Sequence, residues 1–320
     1  MTSTHQCDKP RAIVAGRIIR NVNICHEHFR LTIRMDGFPP SAAGQFVQLQ
    51  CRGLDDQQSA REIAWPAAGL PVATHPELTN REPMLRRPLS LADRRDLPDG
   101  SSEIDIIYRT IGAGTKWLST APVGQQLSVI GPLGNGFTIR PDKAFAAVVG
   151  GGVGVPPMLY MAKALNASGR AAAAFCGART ASMLPLTVDG QPDPAGSPRP
   201  CVSEFSACCT DASIATDDGS AGFSGLVSEA FILWLREHDF DPRDVVVYCC
   251  GPEPMERAVA DICLMRGIEC QVALERHMAC GMGTCQSCVV KVRTPDTATG
   301  WSFKLCCSDG PVFDAGNLLW

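Results

Sequence analysis

Short runs in which apolar and polar residues alternate dominate the first 140 residues of the chain. They include RAIVAGRIIRNVNI, FRLTIRM, GQFVQLQC, EIDIIYRTI and GQQLSVIGPLG, which are rich in β-branched residues and are separated by Gly and Pro. Several such strands in succession favour an antiparallel barrel or sandwich, and we predict a β-barrel domain over residues 10–140. The stretch from Gly53 to Glu82 has no sustained pattern and is expected to be a long surface insertion.

After Pro141 the pattern changes to buried apolar runs that alternate with helical periodicity. AFAAVVGGGVGVPPMLYMAKAL reads as strand, glycine turn and helix, and DVVVYCCGPEPMERAVADICLMRG repeats that order, with Pro254 suited to the first turn of its helix. Strands that alternate with helices predict a parallel sheet covered on both faces, here a Rossmann-like α/β domain over residues 141–272. Residues 189–200, DGQPDPAGSPRP, are expected to form a solvated loop.

The remaining segment, residues 273–320, consists of short loops rich in Cys, Gly and Met. A segment of this size cannot bury a sufficient core unaided, so we expect a metal centre to stabilise it as a small C-terminal module. The fold class predicted from the three patterns together is an α+β multidomain protein.

Composition and charge narrow the classes of function. The chain has 320 residues, of which 45% are hydrophobic and 19% charged, with a formal net charge of −4. Neither nucleic acid nor an anionic membrane surface is therefore favoured as a partner. The N-terminus lacks the apolar core of a signal peptide, and no apolar stretch is long enough for a membrane span, so we expect a soluble cytoplasmic protein.

Five of the 16 cysteines cluster between Cys280 and Cys307. ERHMACGMGTCQSCVVKV has the C-x4-C-x2-C spacing of plant-type [2Fe-2S] ligation, which lets one tight loop present Cys280, Cys285 and Cys288. The fourth ligand is either Cys306 or Cys307, and spacing alone does not choose between them. A zinc site is the competing interpretation, but it needs a C-x2-C pair on each side, so the spacing favours an iron-sulfur cluster.

Three further motifs are ambiguous when each is taken alone. GGGVGVPPM, residues 150–158, connects a buried strand to a helix, where backbone N–H groups can hold a pyrophosphate, but it is not the dinucleotide fingerprint. The turn at Gly251-Pro252 is equally compatible with simple packing. RRPLS, residues 86–90, places a guanidinium and a hydroxyl where they would suit a phosphate or a flavin edge, and an ordinary loop arginine explains it as well.

Eight strings along the chain together resemble the ferredoxin-NAD(P)H reductase superfamily, and within it the electron-transfer subunits of class 1B dihydroorotate dehydrogenases. In order they are RRPLSLAD, YRTIGAGTKWLS, GPLGNGF, VVGGGVGVPPM, ATDDGSAG, CCGPEPM, ERHMACGMGTCQSC and CSDGPVFDA. Their order and spacing carry the resemblance. It implies FAD in the barrel domain, NAD as a co-substrate in the α/β domain and a [2Fe-2S] cluster in the C-terminal module.

The resemblance also implies which residues bind these groups. The flavin would be contacted by Arg87, Pro88, Leu89, Ser90, Tyr108, Gly112, Gly114 and Thr115, and NAD by Gly151, Gly152, Gly154, Cys250, Gly251 and Pro252. Leu89 stands where many reductases carry a flavin-stacking tyrosine, although the dehydrogenase subunits commonly have an aliphatic residue there. By alignment to the cysteine that precedes D-G-P-V-F, Cys307 is the better fourth cluster ligand. Trp320 is expected to serve packing rather than to cover the flavin.

The family places the substrate chemistry in another protein. The resemblance implies a catalytic, FMN-containing dihydroorotate dehydrogenase subunit as partner, in a heterotetramer, and no catalytic acid or base in this chain. Electrons from dihydroorotate would pass through the cluster and FAD to NAD in pyrimidine biosynthesis. Two alternatives stay open: an NAD(P)H-dependent reductase that serves a ferredoxin, an oxygenase or a bifurcating partner, and a non-enzymatic zinc-stabilised binding protein. Cys280 discriminates against the bifurcating form of the reductase alternative, since a related bifurcating reductase subunit usually has aspartate at that position.

Overall fold

A computed structural model of the chain describes residues 10–54, 68 and 85–320. Within these ranges the chain forms two large β-sheets and one small hairpin sheet, with α-helices packed mainly against the second large sheet. The predicted insertion from Gly53 to Glu82 lies outside the described residues, except for Gly53, Leu54 and Ala68. No helix in the described ranges is long and apolar enough to cross a bilayer.

The first sheet is antiparallel throughout and has the strand order β4-β3-β7-β1-β2-β6-β5. The sheet curls, because β4 at one edge also approaches β6 near the other. This confirms the antiparallel fold that the alternating runs predict. The strands and the short helix that follows β6 are β1 (Ala12–Cys25), β2 (His28–Asp36), β3 (Phe46–Leu49), β4 (Arg87–Ser90), β5 (Asp93–Asp96), β6 (Ser101–Arg109), α1 (Ala113–Thr120) and β7 (Gln126–Leu133).

The interior of the curled sheet is filled by the apolar members of these alternating runs. Leu31 and Ile33 of β2 are fully buried, as are Ile104 and Ile106 of β6. Residues two apart on a strand point to the same face, so both pairs project into one core. Burial of each such side chain contributes about 1.5–3 kcal/mol, so the alternation itself specifies which face of each strand is inside.

The second sheet is parallel along β11-β10-β9-β8-β12-β13 and is covered by helices on both faces. Helices α2 and α3 pack on the face shared with the barrel core, and α4 and α5 pack on the other. The prediction of a Rossmann-like sheet is confirmed. Its elements are β8 (Phe145–Gly151), α2 (Val155–Ala167), β9 (Ala171–Ala178), α3 (Ser203–Ser206), β10 (Asp211–Thr216), β11 (Phe223–Ser224), α4 (Val227–Glu237), β12 (Val245–Gly251), α5 (Glu253–Arg266) and β13 (Glu269–Leu274).

Of two local predictions for this sheet, one is confirmed and the other is only partly correct. Pro254 lies in the first turn of α5, as predicted, and Gly267 ends that helix with a left-handed φ of 69°. Residues 189–200 form a loop, but the loop is not simply solvated. Asp193 is buried and forms an ion pair with Arg199 at 2.7 Å, and Arg199 forms a β-bridge with Ala212 of β10. The ion pair within the loop and the β-bridge to β10 therefore hold this loop against the sheet.

The C-terminal segment is built into its neighbours. Strands β14 (Val289–Arg293) and β15 (Trp301–Leu305) form an antiparallel hairpin, and β16 (Val312–Asp314) pairs antiparallel with β13 as the outermost strand of the second sheet. The side chain of Asn135, just after β7, donates to the carbonyl of Val312 at 2.9 Å and accepts from its N–H at 2.9 Å. The segment is thus fixed to both large sheets. Trp320 packs against the apolar cluster that includes Cys288, Cys306 and Cys307, as predicted.

Candidate functional site

Two glycine turns meet at the point where the strand order of the second sheet reverses. Strand β8 is followed in sequence by β9 on one side, whereas its other neighbour is β12. Ligands of open α/β sheets bind in the crevice outside the carboxyl ends of the strands at such a switch point. A Cβ atom on Gly154 would lie 2.2 Å from the carbonyl oxygen of Cys250, so only glycine lets the turn after β8 approach the end of β12 this closely.

The first of two clefts here has a volume of about 450 Å³ and follows the carboxyl ends of the parallel strands. Of the residues predicted to bind NAD, Gly151, Gly152 and Pro252 line it. Arg179, directly after β9, and Asp217, directly after β10, also line this cleft and were not predicted. Their position immediately past two apolar strands was the signal in the sequence that could have found them.

Gly251 lies in neither cleft wall and instead binds a buried carboxyl group. Its N–H donates to Oε1 of Glu256 at 3.1 Å, and the Glu256 side chain is almost completely buried. Burial raises the pKa of Glu256 to about 8, so the group is largely protonated at neutral pH. Burial also raises the pKa of Cys250 well above its usual value, which keeps this neighbour a neutral thiol. Sequence reasoning missed Glu256, because nothing in the helical pattern marks it as buried.

The second cleft, of about 340 Å³, lies between the two large sheets. The predicted flavin residues Gly112 and Thr115 line it together with the whole of β4, and Tyr108 forms part of its wall. From the predicted NAD set it contains Gly154 and Cys250. The remaining predicted residue, Gly114, is outside the lining, but a Cβ there would lie 2.7 Å from Nε of Arg87. The absence of a side chain at Gly114 therefore makes room for the side chain of Arg87.

The second cleft has features that fit a flavin with a pyrophosphate. The N-terminus of α1 faces it at Gly112, and the first turn of a helix presents unpaired N–H groups to an anion. The guanidinium of Arg87 and the hydroxyl of Ser90 supply further donors in the same wall. The Tyr108 side chain is buried, donates to Asn21 at 3.2 Å and stacks on Phe29 at 5.8 Å. Burial raises the pKa of Tyr108, so the ring offers a rigid, uncharged wall.

The two clefts are continuous. Arg109, Ile111, Val153 and Glu275 line both of them. Arg109 is held by Glu27, whose carboxylate accepts from Nε and Nη2 at 2.9 and 2.8 Å. These four residues were not predicted, because their places between the clefts depend on how the two sheets pack.

The cysteine loop brings four thiols together as two pairs. The backbone N–H of Cys285 donates to Sγ of Cys280, and the backbone N–H of Cys307 donates to Sγ of Cys288, each at 3.4 Å. Among the described residues, no three His, Cys, Asp or Glu side chains converge on a single ion position. A [2Fe-2S] cluster has four cysteine ligands for two irons, and two pairs of thiols match that donor set.

Backbone N–H groups already point at these sulfurs. Met282 and Cys285 each donate to Sγ of Cys280 at 3.4 Å, and Gly283 donates to Sγ of Cys307 at 3.1 Å. Hydrogen bonds, first of all from Ser287, lower the pKa of Cys285 to about 6, whereas burial raises the pKa of Cys307 to about 12. Such N–H donors stabilise thiolate ligands, so the loop fits an anionic iron-sulfur group.

The two candidates for the fourth ligand are placed differently. Cys307 is paired with Cys288 through its backbone N–H, which donates to Sγ of Cys288 at 3.4 Å. Cys306 is fully buried, and its thiol donates to the carbonyl of Leu274 at 3.5 Å, at the end of β13. The side chain of Cys306 therefore serves the packing of the segment onto the second sheet.

Comparison with known proteins agrees with this architecture. A family model for the iron-sulfur cluster binding domain of dihydroorotate dehydrogenase B matches residues 275–319. The protein from Geobacillus kaustophilus named dihydroorotate dehydrogenase B (NAD(+)), electron transfer subunit, is 37% identical over 240 residues, which are 74% of this chain and 81% of that protein. The protein of the same name from Caldanaerobacter subterraneus subsp. tengcongensis is 31% identical over 95% of this chain and 97% of its own length.

A solved structure shows the same fold along nearly the whole chain. The NADH-dependent reduced ferredoxin-NADP oxidoreductase, studied for flavin-based electron bifurcation, superposes with a TM-score of 0.68 and 26% identity, covering 95% of this chain and 90% of that one. The predicted family and the reductase-type fold are confirmed by these matches. The chain belongs to the family of electron transfer subunits of dihydroorotate dehydrogenase B.

Proposed function

We propose that this chain is the electron-transfer subunit of an NAD-dependent dihydroorotate dehydrogenase in pyrimidine biosynthesis. It would carry electrons from dihydroorotate oxidation in a partner flavoprotein, by way of [2Fe-2S] and FAD, to NAD. The observation that carries the proposal is the continuity of its three sites. Four residues line both clefts. Met278, which lines the flavin cleft, comes two residues before Cys280, the first cysteine of the cluster loop.

The chemistry requires three groups in this order. A nicotinamide exchanges a hydride and an iron-sulfur cluster exchanges single electrons, and a flavin does both. We propose that the protein holds each group with a separate set of residues. The flavin set is Arg87, Pro88, Leu89, Ser90, Tyr108, Gly112, Gly114 and Thr115; the NAD set is Gly151, Gly152, Gly154, Cys250, Gly251 and Pro252; the cluster ligands are Cys280, Cys285, Cys288 and Cys307.

The residues of the NAD cleft support NAD over NADP. A carboxylate that faces the ribose hydrogen-bonds its hydroxyl groups and repels a 2′-phosphate. Asp217 lines the cleft at the end of β10, and we propose that it is the carboxylate that faces the ribose of the bound dinucleotide. Glu256 would fix the turn at Gly251 through its hydrogen bond, and thereby the end of β12 against which the nicotinamide would lie.

The surface around the cluster loop supports a protein partner. Cys285 is exposed, and so are three apolar side chains of the same segment: Met282 is 46% exposed, Val289 43% and Phe303 64%. Exposed apolar side chains grouped near one site indicate a protein-binding surface. We propose that the catalytic, FMN-containing subunit docks here and that the complex is a heterotetramer, because electron transfer needs a short gap between the two proteins.

The test separates the flavin from the cluster. In the complex with the catalytic subunit, Cys288→Ser should abolish dihydroorotate-dependent NAD reduction, while FAD content and direct NADH oxidation by ferricyanide persist. Cys306→Ser is the matched control, and it should retain the visible absorption of the cluster and the coupled activity. Coupled activity that survives in Cys288→Ser would show that the proposed path is wrong. Failure to form a complex with any dihydroorotate-oxidising flavoprotein would instead favour a reductase with another acceptor.

A further inference from the structure

The side chain of Gln48 is a buried amide without a hydrogen-bond partner. Gln48 lies on β3, is fully buried, and neither Nε2 nor Oε1 has a partner within the described residues. Buried side-chain amides are nearly always paired, since leaving their polar atoms unpaired is costly. An unpaired one in a rigid strand indicates a missing partner.

This amide lies against the loop that carries the cysteines. A Cβ atom on Gly281 would be 2.3 Å from Nε2 of Gln48 and 2.9 Å from its Cδ. Gly281 follows Cys280 directly and has a left-handed φ of 70°. With the Gln48 amide in this position, the close approach of the loop requires that residue 281 has no side chain.

The orientation of β3 explains why Gln48 faces the cluster segment. Val47 and Leu49 point into the core of the curled sheet, so Phe46 and Gln48 share the opposite face. Phe46 belongs to the apolar cluster that contains Cys288 and Cys306. This face of β3 is therefore packed on the C-terminal segment. Phe46 lines the flavin cleft, whereas Gln48 does not.

We propose that the Gln48 amide donates a hydrogen bond to the iron-sulfur group held by this loop and thereby raises its reduction potential. The inference rests on the proposed function, in which the loop holds a [2Fe-2S] cluster. Thiolate and sulfide sulfurs are acceptors, and the amide group has N–H donors to offer them. Reduction adds negative charge to the group, so a fixed donor stabilises the reduced form more than the oxidised form.

The position of Gln48 also links the two electron-transfer sites. Gln48 pairs with Pro88 across the β3–β4 ladder, and β4 is the strand that forms the wall of the flavin cleft. One pair of strands thus carries a flavin wall and a donor to the cluster loop. The potential of the cluster would be set by the strand that also positions the flavin.

The test is Gln48→Leu, which keeps the approximate size of the side chain and removes the donor. The cluster midpoint potential is measured by EPR-monitored titration of the purified holoprotein. We expect the equilibrium constant for cluster reduction to fall about tenfold, which is about 59 mV for a one-electron couple. Pulsed EPR should also show the loss of one exchangeable-proton coupling, and the flavin potential should not change.

Two further variants keep the test decisive. Gln50→Leu is the matched control two residues further along the chain, where the side-chain oxygen accepts from Nη2 of Arg52 at 2.7 Å, and it should leave the cluster potential unchanged. Gln48→Met replaces Gln48→Leu if the latter does not fold. An unchanged potential and an unchanged proton coupling in a variant with full cluster content would overturn the inference while leaving the proposed function intact. A purified protein that holds no cluster at all would overturn both.

Discussion

The contact between the two glycine turns makes Gly154 the most sensitive position of the crevice. In Gly154→Ala the new Cβ would meet the carbonyl oxygen of Cys250 at 2.2 Å, whereas ordinary contact begins at 3.4 Å. The turn after β8 and the end of β12 must therefore separate by about 1 Å, because the new Cβ is fixed rigidly to one turn and the carbonyl oxygen belongs to the backbone of the other. A misplacement of about 1 Å can reduce a reaction rate by about 100-fold, and overpacking costs about 1–3 kcal/mol of stability.

We expect Gly154→Ala to slow hydride transfer by about 100-fold, since the proposed flavin and nicotinamide sites meet at this crevice. The assay is stopped-flow bleaching of flavin absorbance by NADH, with FAD content and thermal unfolding measured in parallel. Gly316→Ala is the control, because its Cβ would find only an ordinary contact, 3.6 Å from a Leu264 side-chain carbon. If a folded, FAD-loaded Gly154→Ala protein bleached at the wild-type rate, this contact would not determine the geometry of the crevice.

Three other substitutions test separate parts of the site. Burial raises the pKa of Glu256 from 4.5 to about 8, so the folded state keeps a proton that the unfolded state releases between these values. Urea unfolding should show the wild type losing stability relative to Glu256→Gln as pH rises through that window, by up to about 1.4 kcal/mol per pH unit; a constant difference would contradict this. Asp217→Asn should increase kcat/KM for NADPH relative to NADH, since the carboxylate no longer repels a 2′-phosphate and Arg179 lines the same cleft; unchanged selectivity would argue against a role for the carboxylate. Gly114→Ala should displace the Arg87 guanidinium, with which its Cβ would collide, and weaken FAD binding about tenfold or more in a fluorescence titration. FAD affinity equal to wild type would place Arg87 outside the phosphate site.

Features that depend on local pattern could be predicted from the sequence. The alternation in β2 predicts a strand that is buried on one face, as in an antiparallel sheet. The continuous apolar run of β8 predicts a strand that is buried on both faces, as in a parallel sheet. The spacing of Cys280, Cys285 and Cys288 points to a cluster loop, since one turn of chain can present all three. Strand β16 was not predicted, because three residues carry too little pattern to be recognised as a strand.

Features that depend on packing between segments could not be predicted. Gln48 has the sequence context of any strand residue, and only the approach of Gly281 distinguishes it. Glu256 lies in a helical turn where an exposed carboxylate is the ordinary expectation, yet the helix packs with this side chain inward. The solvated loop predicted at residues 189–200 was wrong in part, because the charge of Arg199 allows Asp193 to be buried.

The pairing of β16 with β13 has a consequence for how the protein is made. β13 ends at Leu274, and its outer edge stays unpaired during synthesis until the chain has been extended past the cysteine loop to Asp314. An apolar edge strand left open is a template for aggregation. The second, mostly parallel sheet is therefore vulnerable to aggregation while the C-terminal segment is being synthesised or is misfolded. A shortage of iron that delays folding of the cysteine loop would therefore make the whole chain insoluble, in addition to leaving it without its cluster.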